Sequence, residues 1–190
     1  MDASLDNYID LVRDISTECL PPQQAVPLIV KEAERLAGSG VRLNPLQRQP
    51  GRGLAHGRHL LYEDPTSDFV VMAMVWPAGA DSQPHDHETW GVVAVLEGEL
   101  EVTEYERGPR GEGLVVTARV TTRPGDVAWV IPPERDLHRM RNTSGRPAIT
   151  LHTYGRAIET CHAYDERSGE RRLVRPEYST RPEPWLRVVV

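Results

Sequence analysis

The sequence predicts an all-β fold, an antiparallel barrel or sandwich with helices confined to its N-terminal part. Three observations carry this. Sixteen prolines and fifteen glycines against a single phenylalanine in 190 residues favour many short elements joined by turns over a helical bundle. From about residue 58 the apolar residues recur with a period of two, as they do where side chains alternate between the faces of a strand. Turn-forming sequences then recur at short intervals with no helical pattern between them. The length fits one domain with a substantial core and leaves little room for two. Residues 1–190 are therefore read as a single domain: helical over 1–40, β over 55–176, and a tail over 177–190.

The elements follow in order. Residues 4–37 read as two helices. Ser4 or Asp6 can cap the first, which carries Leu5, Tyr8, Ile9, Val12 and Ile15 at three-to-four spacing. Pro21 and Pro22 end it, and proline is tolerated at the start of the next helix. There Ala25, Leu28, Ile29, Ala33 and Leu36 form one apolar face, stopped by Gly38-Ser-Gly40. These helices are expected on the outside of a sheet. Strands are predicted over 58–63, 68–76, 90–96, 99–106, 114–121, 126–131, 148–154, 161–165 and 171–175. The turns between them include Asp64-Pro-Thr-Ser67, Glu97-Gly98, Gly108-Pro-Arg-Gly-Glu-Gly113, Arg123-Pro-Gly-Asp126 and Glu166-Arg-Ser-Gly169. The tail ends in Trp185-Leu-Arg-Val-Val-Val190 and is expected to strap across the barrel or a partner.

The bulk properties exclude several classes of function. A net charge of −6 with both signs interspersed argues against a nucleic-acid footprint. No basic segment followed by an apolar run opens the chain, and no apolar stretch approaches the ~20 residues of a membrane span. Cys19 and Cys161 are too few and too far apart for a disulfide framework, so a cytoplasmic protein with reduced thiols is expected. The sequence leaves a monomer and a small homo-oligomer equally open.

The chemistry concentrates in Pro84-His85-Asp86-His87-Glu88-Thr89-Trp90-Gly91 and in His138. On a strand His85 and His87 share a face and Asp86 takes the other. Two imidazoles on one face make half of a metal site, and a neighbouring strand can bring the third from Asp136-Leu-His138-Arg-Met-Arg-Asn142. The plainer alternative is a pair of solvated histidines at a turn and an unrelated core histidine. Gly79 lies six residues before His85, Gly98 closes the strand after it, and Asn142 lies four residues after His138. This arrangement resembles the two motifs of the cupin superfamily. That resemblance implies a jelly-roll barrel with His85, His87 and His138 as metal ligands.

Many cupins add a glutamate ligand just after the paired histidines, where this chain has Gly91, with Val92 and Val93 following. Glu88 is an odd number of positions from His87, so on a regular strand it faces away. Three neutral imidazoles leave the full dipositive charge on a metal and keep positions open, which suits an anionic thiolate and dioxygen. Such a site also suits zinc, and affinity order favours copper or zinc over iron, so the ligands alone do not choose the metal.

Pro84-His-Asp-His-Glu-Thr-Trp-Gly-Val-Val-Ala-Val-Leu-Glu-Gly-Glu99, Pro124-Gly-Asp-Val127, Leu137-His138-Arg139 and Leu151-His152-Thr-Tyr154-Gly155 resemble the thiol dioxygenases of the cysteine dioxygenase family, of bacterial type. The resemblance runs from about residue 5 to about 160. It implies Fe(II) on the three histidines and dioxygen converting a thiol to a sulfinic acid. The family's Ser-His-Tyr hydrogen-bonded series matches Thr150, His152 and Tyr154, with threonine keeping the hydroxyl. Alternation puts all three on one strand face. In His56-Gly-Arg58-His59, Arg58 matches the arginine that binds the substrate carboxylate in cysteine dioxygenases. A guanidinium fork suits that group, and a slip of one residue would put His59 there instead. The cysteine that animal members cross-link to their tyrosine falls here at Gly91 or Val92, so Tyr154 has no such partner.

The expected activity is therefore oxidation of L-cysteine to cysteine sulfinate. Within the same class, 3-mercaptopropionate or a related thiol carboxylate is the alternative, since Glu-Thr-Trp-Gly-Val-Val also resembles the mercaptopropionate branch. From other classes, the alternatives are a non-catalytic cupin that binds a small acid or metal, and a metal-dependent isomerase or other oxygenase. Trp90 and Trp129 are expected in the pocket or the core. His56, His162 and Cys19 read as ordinary side chains, and Cys161 with His162 is not expected to form a nucleophile pair, because neighbours on a strand face opposite ways.

Overall fold

The computed structural model describes residues 2–51, 56–109 and 112–182. Two helices, α1 (Ala3–Thr17) and α2 (Pro22–Gly38), precede ten strands. These are β1 (Gly57–Glu63), β2 (Val70–Trp76), β3 (Gly91–Glu97), β4 (Leu100–Arg107), β5 (Leu114–Thr122), β6 (Val127–Val130), β7 (His138–Asn142), β8 (Ala148–Tyr154), β9 (Cys161–Tyr164) and β10 (Arg171–Val174). Neither Ser4 nor Asp6 caps α1. The cap is Asp2, whose carboxylate accepts the Ser4 N–H at 2.9 Å, one of three oxygen-bearing side chains available within five residues.

One sheet runs β1-β2-β8-β3-β6. Opposite it lie β5-β4-β7 and the β9–β10 hairpin, joined by the extended segment 80–86. Within that segment His85 and His138 exchange backbone hydrogen bonds (3.0 and 3.2 Å), Asp86 N–H donates to the His162 carbonyl (3.1 Å) and Tyr164 N–H to the Pro84 carbonyl (2.8 Å). The two layers close the expected antiparallel jelly-roll barrel. The turn at Gly98, with φ +78°, connects them where the β3–β4 hairpin crosses over.

Both helices pack on the outer face of the five-stranded sheet. Leu5, Tyr8, Ile9, Val12, Val26, Ile29, Ala33 and Leu36 share a core with Val71, Ala73, Val75, Val92, Ala94, Ile149 and Leu151. The alternate residues of the same strands, Val70, Met72, Met74, Trp76, Val93, Val95 and Tyr154, face the barrel interior with Leu100, Met140 and Cys161. Covered on both sides, β2 is buried at every position, which explains its unbroken apolar run. In α2 the apolar stripe is rotated from the one expected. Leu28 is 40% exposed, and Val26 is fully buried in its place, because the sheet contacts the side of the helix that also carries Ile29 and Ala33.

The tail does strap the barrel as far as it is described. Ser179 N–H donates to the Arg58 carbonyl (2.6 Å) and Leu60 N–H to the Thr180 carbonyl (3.0 Å), laying residues 179–180 along β1, the outer strand of its sheet. Trp185 and the residues after it lie outside the described residues. Among the described residues, no helix is long and apolar enough to cross a membrane.

Candidate metal centre and substrate cavity

His85, His87 and His138 converge from two directions. His138 opens β7. His85 and His87 do not sit on a regular strand as expected: His85 is held by single bridges to His138 and Ala163, and the chain turns at Glu88 with φ +55°. The bridges keep the backbone extended, so the two rings still point the same way. Ring centroids of the three histidines lie 4.8–4.9 Å apart, and one nitrogen from each falls within 4.8 Å of the others. Glu88 faces solvent near Arg156 and His162, away from the three rings, as expected.

The unused nitrogens of two rings are occupied. His85 Nδ1 lies 2.8 Å from the Gln83 carbonyl. His87 Nδ1 lies 2.8 Å from Asp136 Oδ1. His87 Nε2 is left buried without a hydrogen-bond partner among the described residues, a costly state for a polar atom in the protein alone. Burial, then the neighbouring His87, pushes His85 down to about 3, and burial likewise pushes His138 well below its ordinary value. Both therefore offer neutral nitrogen at neutral pH. Three converging ring nitrogens, one of them orphaned, fit a divalent transition ion with open positions.

Beside the rings lies a cavity of about 280 Å³. His152 and Tyr154 line it from β8 and join Thr150 in one hydrogen-bonded row: Thr150 Oγ1 to His152 Nε2 at 2.7 Å, and His152 Nδ1 to Tyr154 Oη at 3.0 Å. The Tyr154 ring stacks on His87 at 5.2 Å. Tyr154 can lie there because Gly91, its register partner on β3, has no Cβ. One built at Gly91 would meet the ring carbons at 2.6 and 2.7 Å. The position where many cupins carry a ligand glutamate is thus filled by the tyrosine ring.

The row is longer than the sequence indicated. Trp76 Nε1 donates to Thr150 Oγ1 at 2.9 Å, which leaves the threonine proton free to go to His152 Nε2. Burial pushes His152 well below its ordinary value, so its ring carries a single proton; with Thr150 donating to Nε2, that proton sits on Nδ1 and goes to the Tyr154 oxygen. The phenolic proton is then directed into the cavity. Burial raises the Tyr154 phenol above its ordinary value, so the group remains a donor.

At the other end of the cavity, β1 presents Arg58 inward, in register with Met74, and His59 outward, in register with Ala73. His59 uses both ring nitrogens elsewhere, with Thr180 Oγ1 at 2.9 Å and the Gln49 carbonyl at 2.7 Å. Arg58 Nη1 is buried without a partner among the described residues, and its guanidinium lies 5.1 Å over the Tyr178 ring. His56, read from sequence as an ordinary polar residue, also lines the cavity. Its ring lies tilted against Trp76 at 4.8 Å, and burial, with Arg58 nearby, pushes it down to about 4.

Cys161 lines the cavity too, while His162 turns away toward Asp86 at 3.2 Å, so the two form no nucleophile pair. Neither Trp90 nor Trp129 lines it. Trp90 packs with the helix-side core, and Trp129 is 39% exposed beneath the Arg135 guanidinium.

A model of the family described as cysteine dioxygenase type I matches residues 58–167. The chain is 27% identical over 175 residues to cysteine dioxygenase type 1 of Rattus norvegicus, covering 83% of this chain and 87% of that protein. It is 30% identical over 117 residues to cysteine dioxygenase type 1 of Homo sapiens, covering 60% of this chain and 58% of that protein. Among solved structures, a protein with a double-stranded β-helix domain from Klebsiella pneumoniae aligns with 72% of this chain and 98% of its own, at 21% identity and a TM-score of 0.43.

Proposed function

The chain belongs to the cysteine dioxygenase type I family, and from that premise we propose that it is an Fe(II)-dependent thiol dioxygenase that converts L-cysteine to cysteine sulfinic acid. The observation that carries the substrate class is Arg58 Nη1, buried and without a partner among the described residues, in the cavity that His85, His87 and Tyr154 also line. A permanent buried cation with a free N–H calls for an anion, and a carboxylate matches the guanidinium fork.

His85, His87 and His138 would hold the iron, and the bound metal would supply the redox chemistry by which both atoms of dioxygen join the thiol sulfur. The protein's own part is to bind and orient. Arg58 takes the substrate carboxylate, with the Tyr178 ring fixing its plane. That spans a short thiol acid between the guanidinium and the histidines and limits its length. Tyr154, its proton oriented by Trp76, Thr150 and His152, donates a hydrogen bond to the reacting end. Met72, Met74, Ile158 and Val174 line the remaining wall and exclude water, which strengthens the polar contacts inside.

Oxygen uptake by the iron-loaded protein across a panel of thiols, with products identified by mass spectrometry, tests the proposal. L-Cysteine should be oxidised fastest and cysteamine, lacking the carboxylate, poorly. A preference for 3-mercaptopropionate would overturn the cysteine assignment and keep the carboxylate site. Oxidation of no thiol would favour a non-catalytic cupin.

A further inference from the structure

We infer that Asp136 is a positioning residue for the histidine site, holding His87 with its proton on Nδ1 and supplying the one negative charge that the ligand set lacks. The inference rests on the metal-site reading above.

The carboxylate is committed to one short stretch of backbone. Oδ1 accepts the His87 backbone N–H at 2.9 Å and faces its ring Nδ1 at 2.8 Å, and Oδ2 accepts the Glu88 N–H at 3.1 Å. It therefore closes the left-handed turn at Glu88, which ends the segment carrying both histidines, and fixes the rotation of one ring. With Nδ1 donating to Asp136, His87 must present Nε2, the atom left buried and unpartnered. The His85 ring is held differently, by the neutral carbonyl of Gln83. Among the described residues, Asp136 is the one carboxylate hydrogen-bonded to any of the three rings. Its side chain is only 12% exposed, so solvent screens the charge weakly. An imidazole donating to a carboxylate becomes a stronger donor through its other nitrogen, and such outer partners are commonly worth 10–100-fold in metal affinity. One step removed from the metal, Asp136 offsets charge that three neutral imidazoles leave uncompensated.

Asp86 provides the internal control. It anchors the same segment from the opposite side, accepting the His162 N–H at 2.7 Å and the Tyr164 hydroxyl at 2.7 Å, and touches none of the three rings. Co(II) and Fe(II) affinities should be measured by chelator competition for the wild type, Asp136→Asn, Asp136→Glu and Asp86→Asn, together with the Fe(III)/Fe(II) potential. Asp136→Asn should weaken binding by about 10–100-fold and raise the potential, since a charge favouring the ferric ion is lost. Asp136→Glu should recover part of both, and Asp86→Asn should leave the potential unchanged. Equal affinity and potential in Asp136→Asn and wild type would overturn the inference, as would an equal shift in Asp86→Asn. Wild type that binds neither metal would overturn the metal-site reading itself. Should the Asp136 variants not fold, histidine-selective 15N spectra of the wild type loaded with Zn(II) still decide. A proton on His87 Nδ1 with metal on Nε2 supports the inference, and the reverse tautomer overturns it.

Discussion

Strands β2 and β8 each present two buried faces, and the two differ in kind. Toward the helices, Val71, Ala73, Val75, Ile149 and Leu151 pack against α1 and α2. The polar exception, Thr153, pairs with the Tyr8 hydroxyl at 2.7 Å. Toward the interior, the same strands carry Trp76, Thr150, His152 and Tyr154, all linked by hydrogen bonds. A period of two lets one strand serve as partition between a packing layer and a reaction chamber separated by a single backbone thickness. Changes on the helix side should act on stability alone, and changes on the chamber side should act on binding and turnover with little effect on stability.

The sharpest break of that comparison is His138→Ala, which should abolish iron retention and oxygen uptake together in metal analysis and oxygen-electrode assays. Normal iron content in that variant would sink the ligand assignment. Next, Tyr154→Phe should keep the fold and the iron and slow turnover by ~10²–10⁴-fold, the usual cost of losing a positioned proton donor; an unchanged rate would make the row structural. Arg58→Ala should lower kcat/KM for a thiol carboxylate by ~2–5 kcal/mol in activation free energy, the range for truncating one partner of a buried charge pair. Steady-state kinetics should show oxidation of cysteamine, which has no carboxylate, indifferent to it.

From the other face, Ile29→Ala should cost ~2–5 kcal/mol in urea unfolding through the cavity it leaves, with iron affinity unchanged. Weakened iron binding there would mean that the sheet transmits strain between its faces. The smallest effect is a titration. Burial lowers His56 to about 4, so the neutral ring is the form the fold accommodates. Its contribution to stability is complete above the ordinary value near 6.5 and is lost as pH falls through about 4. An NMR midpoint for His56 near 6.5 would place it in solvent, outside the chamber.

The parts of this site legible in the sequence are those written in a regular period. Thr150, His152 and Tyr154 lie two apart on a clean strand, so their common face follows from spacing. His85 and His87 share a face by spacing, and His138 joins them through the cupin resemblance, though the backbone around His85 and His87 is bridged segment and not regular strand. The sequence matched Arg58 to the carboxylate position and left His59 open, because a slip of one residue exchanges the faces of β1. The structure separates them by giving His59 two partners outside the chamber. Asp136 lies in the aperiodic stretch between β6 and β7, where no pattern indicates what a carboxylate will meet. Trp76 reads as the last apolar residue of β2, and its N–H partner on β8 is 74 residues away in sequence.

The strap of residues 179–180 has a consequence for how the protein can be handled. An open outer strand is a template on which another chain can add itself, and β1 is shielded because Ser179 and Thr180 occupy its backbone groups. Tyr178 in the same short stretch lies over Arg58. The aromatic contact on Arg58 and the cover over the open strand thus hang on one short ribbon. A tag fused close behind it, or a protease nick within it, would be felt in both at once, with the three histidines untouched.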